Sequence, residues 1–208
     1  MLDKKFRTAL SSYTLAIGRF FGRVFTPNQM SLFSLFFGVS SAFFIYSGNL
    51  WYAICLLIIS ALADWIDGAI AKATNKVTKF GGVLDSVIDK FIELAVYLSL
   101  AISNPMFVLP SMSAATMMMW SSYANQRCKR AGLEKGRGFL QKKERVFLLL
   151  VALFSLAISP TGTLQLCEGG CSFSVLKFAA GVLWLIAIFS FLTGVQRIYL
   201  TFKRVGKR

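Results

Sequence analysis

The chain contains no histidine. The side chain that most often acts as a base near neutral pH is therefore missing, and acid–base chemistry falls to carboxylate, Lys, Tyr or Cys. Charge is scarce too: 15% of the 208 residues are charged, against roughly 25% in soluble domains. Acidic groups are scarcest, with 9 Asp+Glu against 23 Lys+Arg. Apolar residues make up 56% of the chain, and the mean hydropathy is +0.62. That composition excludes a disordered chain and argues against a soluble globular enzyme. A net charge of +14 would suggest nucleic acid in a soluble protein. In a chain this apolar it reads instead as the positive-inside pattern, and no nucleic-acid partner is expected. The 4 cysteines do not form a zinc site. Cys55 falls within an apolar run and Cys128 in a basic segment. Cys167 and Cys171 share the stretch LQLCEGGCSF, where a disulfide and two unpaired thiols are both open.

The uncharged runs set the fold class. Val24 to Ala63 spans 40 positions without a charge, enough for two helices of about 20 residues. Ser47-Gly48-Asn49 breaks that run with a turn signal. Leu94 to Gln126 is a second run, interrupted at Asn104-Pro105, and Val146 to Cys167 and Phe178 to Gln196 follow. The pattern predicts an all-α polytopic membrane protein with six spans, at 29–48, 51–73, 82–103, 107–127, 144–160 and 174–197. It has no internal repeat and no low-complexity linker. Residues 1–208 read as a single integral-membrane domain, 1–25 forming an interfacial helix and 26–208 the six-helix bundle.

In the first 25 residues, Leu2, Phe6, Leu10, Tyr13, Ile17, Phe20 and Val24 recur at intervals of three or four. Lys4, Lys5, Arg7 and Arg23 mostly occupy the other faces, as in an amphipathic helix lying in the membrane interface. There is no continuous apolar core and no convincing cleavage site, so this segment is expected to belong to the mature protein. With six spans, both termini and the loops at 72–82 and 124–145 share one side, and nearly every Lys and Arg falls there. Lys177 alone lies near the other side. The basic side is expected to be cytoplasmic and to attract anionic lipid headgroups.

The chain has five aspartates, and four lie in ADWIDGAIAKATNKVTKFGGVLDSVIDK, at the cytoplasmic ends of two adjacent spans. Asp64 and Asp67 are three apart and share a helix face; Asp85 and Asp89 are four apart and share a face of the next helix. A short turn makes those helices antiparallel neighbours, so all four carboxylates can converge. Convergence is costly. Two carboxylates at about 4 Å repel by roughly 4 kcal/mol at an effective dielectric of 20. Salt bridges from Lys72 or Lys90 offset part of this, as in an ion-paired bundle core; one or two divalent cations offset it better. All-oxygen ligation favours Mg²⁺, Mn²⁺ or Ca²⁺ over zinc.

Small residues flank the acids. Gly68 follows Asp67, Ala71 lies one turn after it, and Gly81 lies one turn before Asp85. They suit either close helix packing or the wall of a ligand pocket. Lys72, at the helix end, can hold a phosphate that also bridges metals, and two metals with a fixed cation suit in-line displacement at phosphorus.

Asp64-x-x-Asp67-Gly68-x-x-Ala71-Lys72, then eight residues to Gly81, then x3-Asp85-x3-Asp89, closely resembles the 26-position signature of the CDP-alcohol phosphotransferases. The family has Arg where this chain has Lys72, which keeps the charge and loses bidentate geometry. Thr26-Pro27-Asn28-Gln29-Met30-Ser31 resembles the opening of the family's first transmembrane helix. The resemblance implies six spans after an interfacial helix, and a reaction in which CMP is displaced from a CDP-linked lipid by a second alcohol. It implies that Asp64, Asp67 and Asp85 bind two Mg²⁺ or Mn²⁺ ions and that Asp89 shares in ligation and is the base. It further implies that Asp64, Asp67, Gly68, Ala71, Lys72, Gly81 and Asp85 form the CDP-alcohol site. Homodimers are usual in the family.

The basic cluster from Arg127 to Arg145 suits an anionic acceptor such as a phosphorylated polyol. Tyr123-Ala-Asn-Gln-Arg127, Glu144-Arg145 and Gln196-Arg197 resemble the inositol-phosphate-using branch of the family. In that branch Arg127, Arg145 and Arg197 would bind the acceptor phosphate. Glycerol 3-phosphate, serine and free inositol are alternative acceptors. A cation or polyanion transporter is the non-enzymatic alternative, but the acids sit at a helix end, whereas transporter sites lie near the midplane.

Overall fold

The computed structural model describes residues 13–74, 78–131, 138–158, 163–165 and 172–205. Leu2, Lys4, Lys5, Phe6, Arg7 and Leu10 lie outside the described residues, as do Lys76, Lys135, Arg137, Cys167 and Cys171. A short helix α1 covers 13–21. The elements α2 (Pro27–Tyr46), α3 (Leu50–Ala73), α4 (Lys79–Ser103), α5 (Pro105–Arg130), α6 (Lys142–Ile158) and α7 (Val175–Val205) follow. One helix stands at each expected span, and α7 runs further than its apolar pattern predicts. Among the described residues the regular structure is helical but for an antiparallel pair, β1 (Thr163–Gln165) and β2 (Ser172–Ser174), in register Thr163 with Ser174.

Local chemistry explains the helix starts. At α2, Thr26 and Gln29 form a reciprocal capping box, Gln29 Oε1 accepting from Thr26 N at 2.8 Å, with Pro27 at the first helical position. Thr78 caps α4: its Oγ1 accepts from Gly81 N at 2.9 Å. Asn104 caps α5 through Met106 N at 2.9 Å, with Pro105 next. At α6, Glu144 reaches back to accept from Gln141 N. Between α2 and α3, Gly48 adopts φ 77°, the left-handed turn that Ser47-Gly48-Asn49 predicts.

Three of these helices, Pro27–Tyr46, Leu50–Ala73 and Val175–Lys203, are long and apolar enough to cross a membrane, and the chain is a membrane protein. The α4 helix is continuous, but Asp85, Asp89, Lys90 and Glu93 break its apolar character. The α6 helix has 17 residues, short of the ~20 a span needs.

The helices form two compact units. One takes the described residues up to Phe43 together with Cys55–Val96; the other takes Phe44–Ile54 and the described residues from Tyr97 onward. In the first, α2 and α3 are joined by buried serines. Ser34 Oγ donates to Ser60 O at 3.0 Å, and Ser60 Oγ donates to Ser34 O at 2.8 Å. The backbones of α1 and α3 nearly touch: a Cβ on Gly18 would lie 2.3 Å from Ala69 O. Gly38 likewise brings α2 against Ile92 of α4. Met30, Ala63 and Ile70 form a core lined by Phe21, Phe25 and Ile66. Tyr13, Phe20 and Val24, from the expected interfacial stripe, are exposed.

In the second unit, α5 and α7 pack closely, Trp120 lying over Gly194. Met118, Leu149, Leu153, Leu183 and Ile186 are buried there. Among the three consecutive methionines, Met118 is core while Met119 is exposed. Ser34→Ala and Ser60→Ala are each expected to destabilise the protein by about 0.6–1.7 kcal/mol, the range for hydrogen bonds between membrane helices. Unfolding in mixed micelles measures this; wild-type stability in both variants would show that the serine pair holds nothing.

Candidate active site

The α3 and α4 helices bring three of the four signature aspartates together. Asp64, Asp67 and Asp85 each offer a carboxylate oxygen, and these oxygens lie within 4.8 Å of one another. Asp67 is buried, while Asp64 and Asp85 are half-exposed. Asp89 stands outside the trio: one turn along α4 carries it about 6 Å past Asp85. Glu93, a further turn on, is buried and paired with Lys90 at 3.4 Å. That ion pair accounts for Lys90 as a partner of Glu93. An all-oxygen donor set of this spacing fits Mg²⁺ or Mn²⁺, with Asp64, Asp67 and Asp85 as the residues that could hold the ion.

Beside the trio is a hollow of about 130 Å³. Of the expected CDP-alcohol residues, Asp67, Gly68, Ala71, Gly81 and Asp85 line it. Asp64 belongs to the carboxylate trio but is not among the lining residues. Lys72 is exposed and does not line the hollow either. Five residues beyond Asp67, it is turned about 140° round the helix, whereas Ala71 is turned only about 40°.

The glycines differ in what they do. A Cβ on Gly68 would meet nothing within 4 Å, so this glycine leaves space open and does not serve helix packing. A Cβ on Gly81 would lie 2.9 Å from Thr78 Oγ1 and 3.3 Å from Asn28 Oδ1, so this one permits close approach between the starts of α2 and α4. Pro27, Asn28, Ser31, Thr78 and Gly82 complete the wall. The sequence places the Thr26–Ser31 stretch only at a helix opening. A signal for its site role lies in Asn28 and Ser31, polar residues three apart at the start of a mostly apolar helix.

The expected acceptor arginines all belong to the second unit. Arg145 is 4% exposed on α6. Arg197 on α7 feels the positive charge of Arg145 and donates from one terminal nitrogen to Ser121 O at 3.1 Å. Its buried Nε has no acceptor among the described residues. Arg127 is exposed and lies against Tyr123, its Nε donating to the phenol oxygen at 2.8 Å. A buried guanidinium on Arg145 and a half-buried one on Arg197, with a spare donor, suit an anion.

Residues 24–196 match the CDP-alcohol phosphatidyltransferase family. The chain belongs to this family. It is 27% identical over 183 residues to the archaetidylinositol phosphate synthase of Pyrococcus horikoshii, covering 86% of this chain and 85% of the relative. It is 26% identical over 211 residues to the phosphatidylinositol phosphate synthase of Mycobacterium tuberculosis, covering 96% of this chain and 90% of the relative. A crystal structure of that mycobacterial synthase with CDP-DAG bound shares the fold, with a TM-score of 0.73 at 24% identity over 91% of this chain and 93% of that one. Another, in complex with manganese and citrate, gives the same TM-score over 91% and 88%. As a CDP-alcohol phosphatidyltransferase, the protein is an enzyme of phospholipid synthesis that uses Mg²⁺ or Mn²⁺.

Asp67→Asn and Asp85→Asn are each expected to abolish turnover while the fold survives; wild-type rates in either would remove that residue from the metal site. Gly68→Ala is expected to keep the wild-type melting temperature but weaken CDP-lipid binding about tenfold, because the methyl enters the hollow. A stability loss without a binding loss would make Gly68 a packing glycine.

Proposed function

We propose that this protein transfers a phosphatidyl-type group, on a diacylglycerol or archaeol lipid, from its CDP-linked form to a phosphorylated polyol, releasing CMP. Inositol 1-phosphate is the acceptor we favour. The observation that carries the reading is the trio of Asp64, Asp67 and Asp85 within 4.8 Å, beside a hollow whose wall opens at Gly68. Mg²⁺ or Mn²⁺ bound there supplies charge neutralisation of the diphosphate and polarisation of the phosphoryl oxygens.

The chain's own residues do the rest. Gly68 and Ala71 leave room for the nucleotide, Gly81 draws the starts of α2 and α4 together to close the wall beside it, and Lys72 at the exposed helix end meets the phosphates from solvent. The acceptor hydroxyl attacks the phosphorus bonded to the lipid alcohol. A new P–O bond forms, the bond to CMP breaks, and the hydroxyl proton passes to Asp89. A carboxylate is a weak base, which suffices when the proton leaves late, as the hydroxyl loses electron density to phosphorus.

The acceptor's phosphate is held by Arg145 and Arg197, with Arg127 at the exposed edge. The unpartnered Nε of Arg197 supports this, as do the names of the Pyrococcus and Mycobacterium relatives. The distribution of Lys and Arg supports a six-span, multi-pass arrangement in the cell membrane with the carboxylates facing the cytoplasm and α1 in the interface among membrane lipids. The family resemblance supports a homodimer.

The purified protein, given CDP-lipid and Mg²⁺ or Mn²⁺, is expected to release CMP with inositol 1-phosphate and to form the matching phospholipid by mass. Product with glycerol 3-phosphate, serine or free inositol alone would overturn the acceptor assignment, and transport without CMP release would overturn the reaction. Asp89→Asn is expected to bind CDP-lipid yet lose turnover. Arg145→Ala and Arg197→Ala are expected to raise the acceptor KM roughly 10- to 100-fold, the cost of a lost charged hydrogen bond. An unchanged KM would point to a neutral alcohol.

A further inference from the structure

The hydroxyl of Ser31 on α2 lies 2.6 Å from Asp67 Oδ2 on α3. Both residues are buried, at 4% and 7% exposure, and both line the hollow. A serine hydroxyl has one hydrogen to give. Its other acceptor in reach, the Pro27 carbonyl, is 3.2 Å away. That is beyond the usual range for a hydroxyl donor, whereas the carboxylate contact has the short length of a charge-assisted hydrogen bond. The hydrogen therefore goes to Asp67.

The donor is itself held in place. One turn further along α2, Ser34 makes its paired hydrogen bonds with Ser60 of α3, and the Thr26–Gln29 box fixes the start of the helix. Ser31 thus presents its hydroxyl from a backbone anchored on both sides.

We propose that Ser31 is a positioning residue for the metal site: its hydroxyl occupies one face of Asp67 Oδ2 and holds the carboxylate in a single orientation toward a divalent cation. The proposal rests on the reading of Asp64, Asp67 and Asp85 as metal ligands and adds a residue from a third helix. A carboxylate free to rotate would spend part of its time turned from the ion. Hydrogen-bond partners of ligating carboxylates carry about 10- to 100-fold in metal affinity.

The test is Mn²⁺ binding to the purified protein without CDP-lipid, read from the electron paramagnetic resonance signal of the free ion. Ser31→Thr keeps the hydroxyl and Ser31→Val has the same bulk without it, so the difference between them reads the hydroxyl alone. Ser31→Thr should bind Mn²⁺ like the wild type. Ser31→Val should bind it about 10- to 100-fold more weakly, with melting temperatures in chelator that match. Equal affinity in the two variants would overturn the proposal. If the branched side chains prevent folding, Ser31→Ala against wild type decides by the same readout. A wild type that binds no Mn²⁺ would instead remove the metal site itself, an outcome distinct from equal binding by all variants.

Discussion

Like charges crowded into a mostly apolar protein are the constraint on which the rest depends. Three carboxylates whose oxygens lie within 4.8 Å repel one another, and a pair at about 4 Å costs roughly 4 kcal/mol at an effective dielectric of 20. The helix architecture of the first unit imposes that crowding. Thr78 caps α4, and Gly81, one turn before Asp85, lets the first turn of that helix approach Asn28. The paired serines of α2 and α3 set the register that puts Ser31 against Asp67. These contacts stabilise the one arrangement in which the acids meet, and binding of a divalent cation offsets the repulsion.

The second unit gathers charge of the opposite sign. Arg145 is buried on α6, and Arg197 on α7 lies within reach of its field. The Ser121 carbonyl takes one hydrogen of Arg197, while its Nε keeps a donor in reserve. Cations suit a phosphorylated acceptor as the acidic trio suits a metal-bound diphosphate. The proposed transfer joins two anionic substrates and needs both kinds of cluster, and the chain carries one in each unit.

Much of this was legible in the residues. Uncharged runs broken at Ser47-Gly48-Asn49 and Asn104-Pro105 placed the helix ends to within a few positions, because turn formers and caps act locally. The spacing of Asp64, Asp67 and Asp85 announced their convergence, since helical periodicity and a short turn leave little freedom. Asp89 was harder: sharing a face with Asp85 does not say how far along the axis a site reaches. Lys72 illustrates a related point, as adjacency to Ala71 in sequence is a 100° turn in space, which leaves Lys72 exposed at the helix end and not in the wall of the hollow. The Ser31–Asp67 contact depends on the register between α2 and α3, which pairing of distant helices decides and no local pattern encodes. The β1–β2 ladder likewise joins segments of three residues, Thr163–Gln165 and Ser172–Ser174, too short for their alternation to announce a strand. Gly68 and Gly81 looked alike as small residues, and only the surroundings separate an open wall from a close approach.

The central claim is that Asp64, Asp67 and Asp85 exist to hold a divalent cation. Diffraction from crystals grown with Mn²⁺, recorded at the manganese edge, addresses it without recourse to activity. The account predicts an anomalous peak within coordination distance of all three carboxylates. Manganese bound elsewhere, with these side chains turned apart in a protein that still releases CMP, would contradict it.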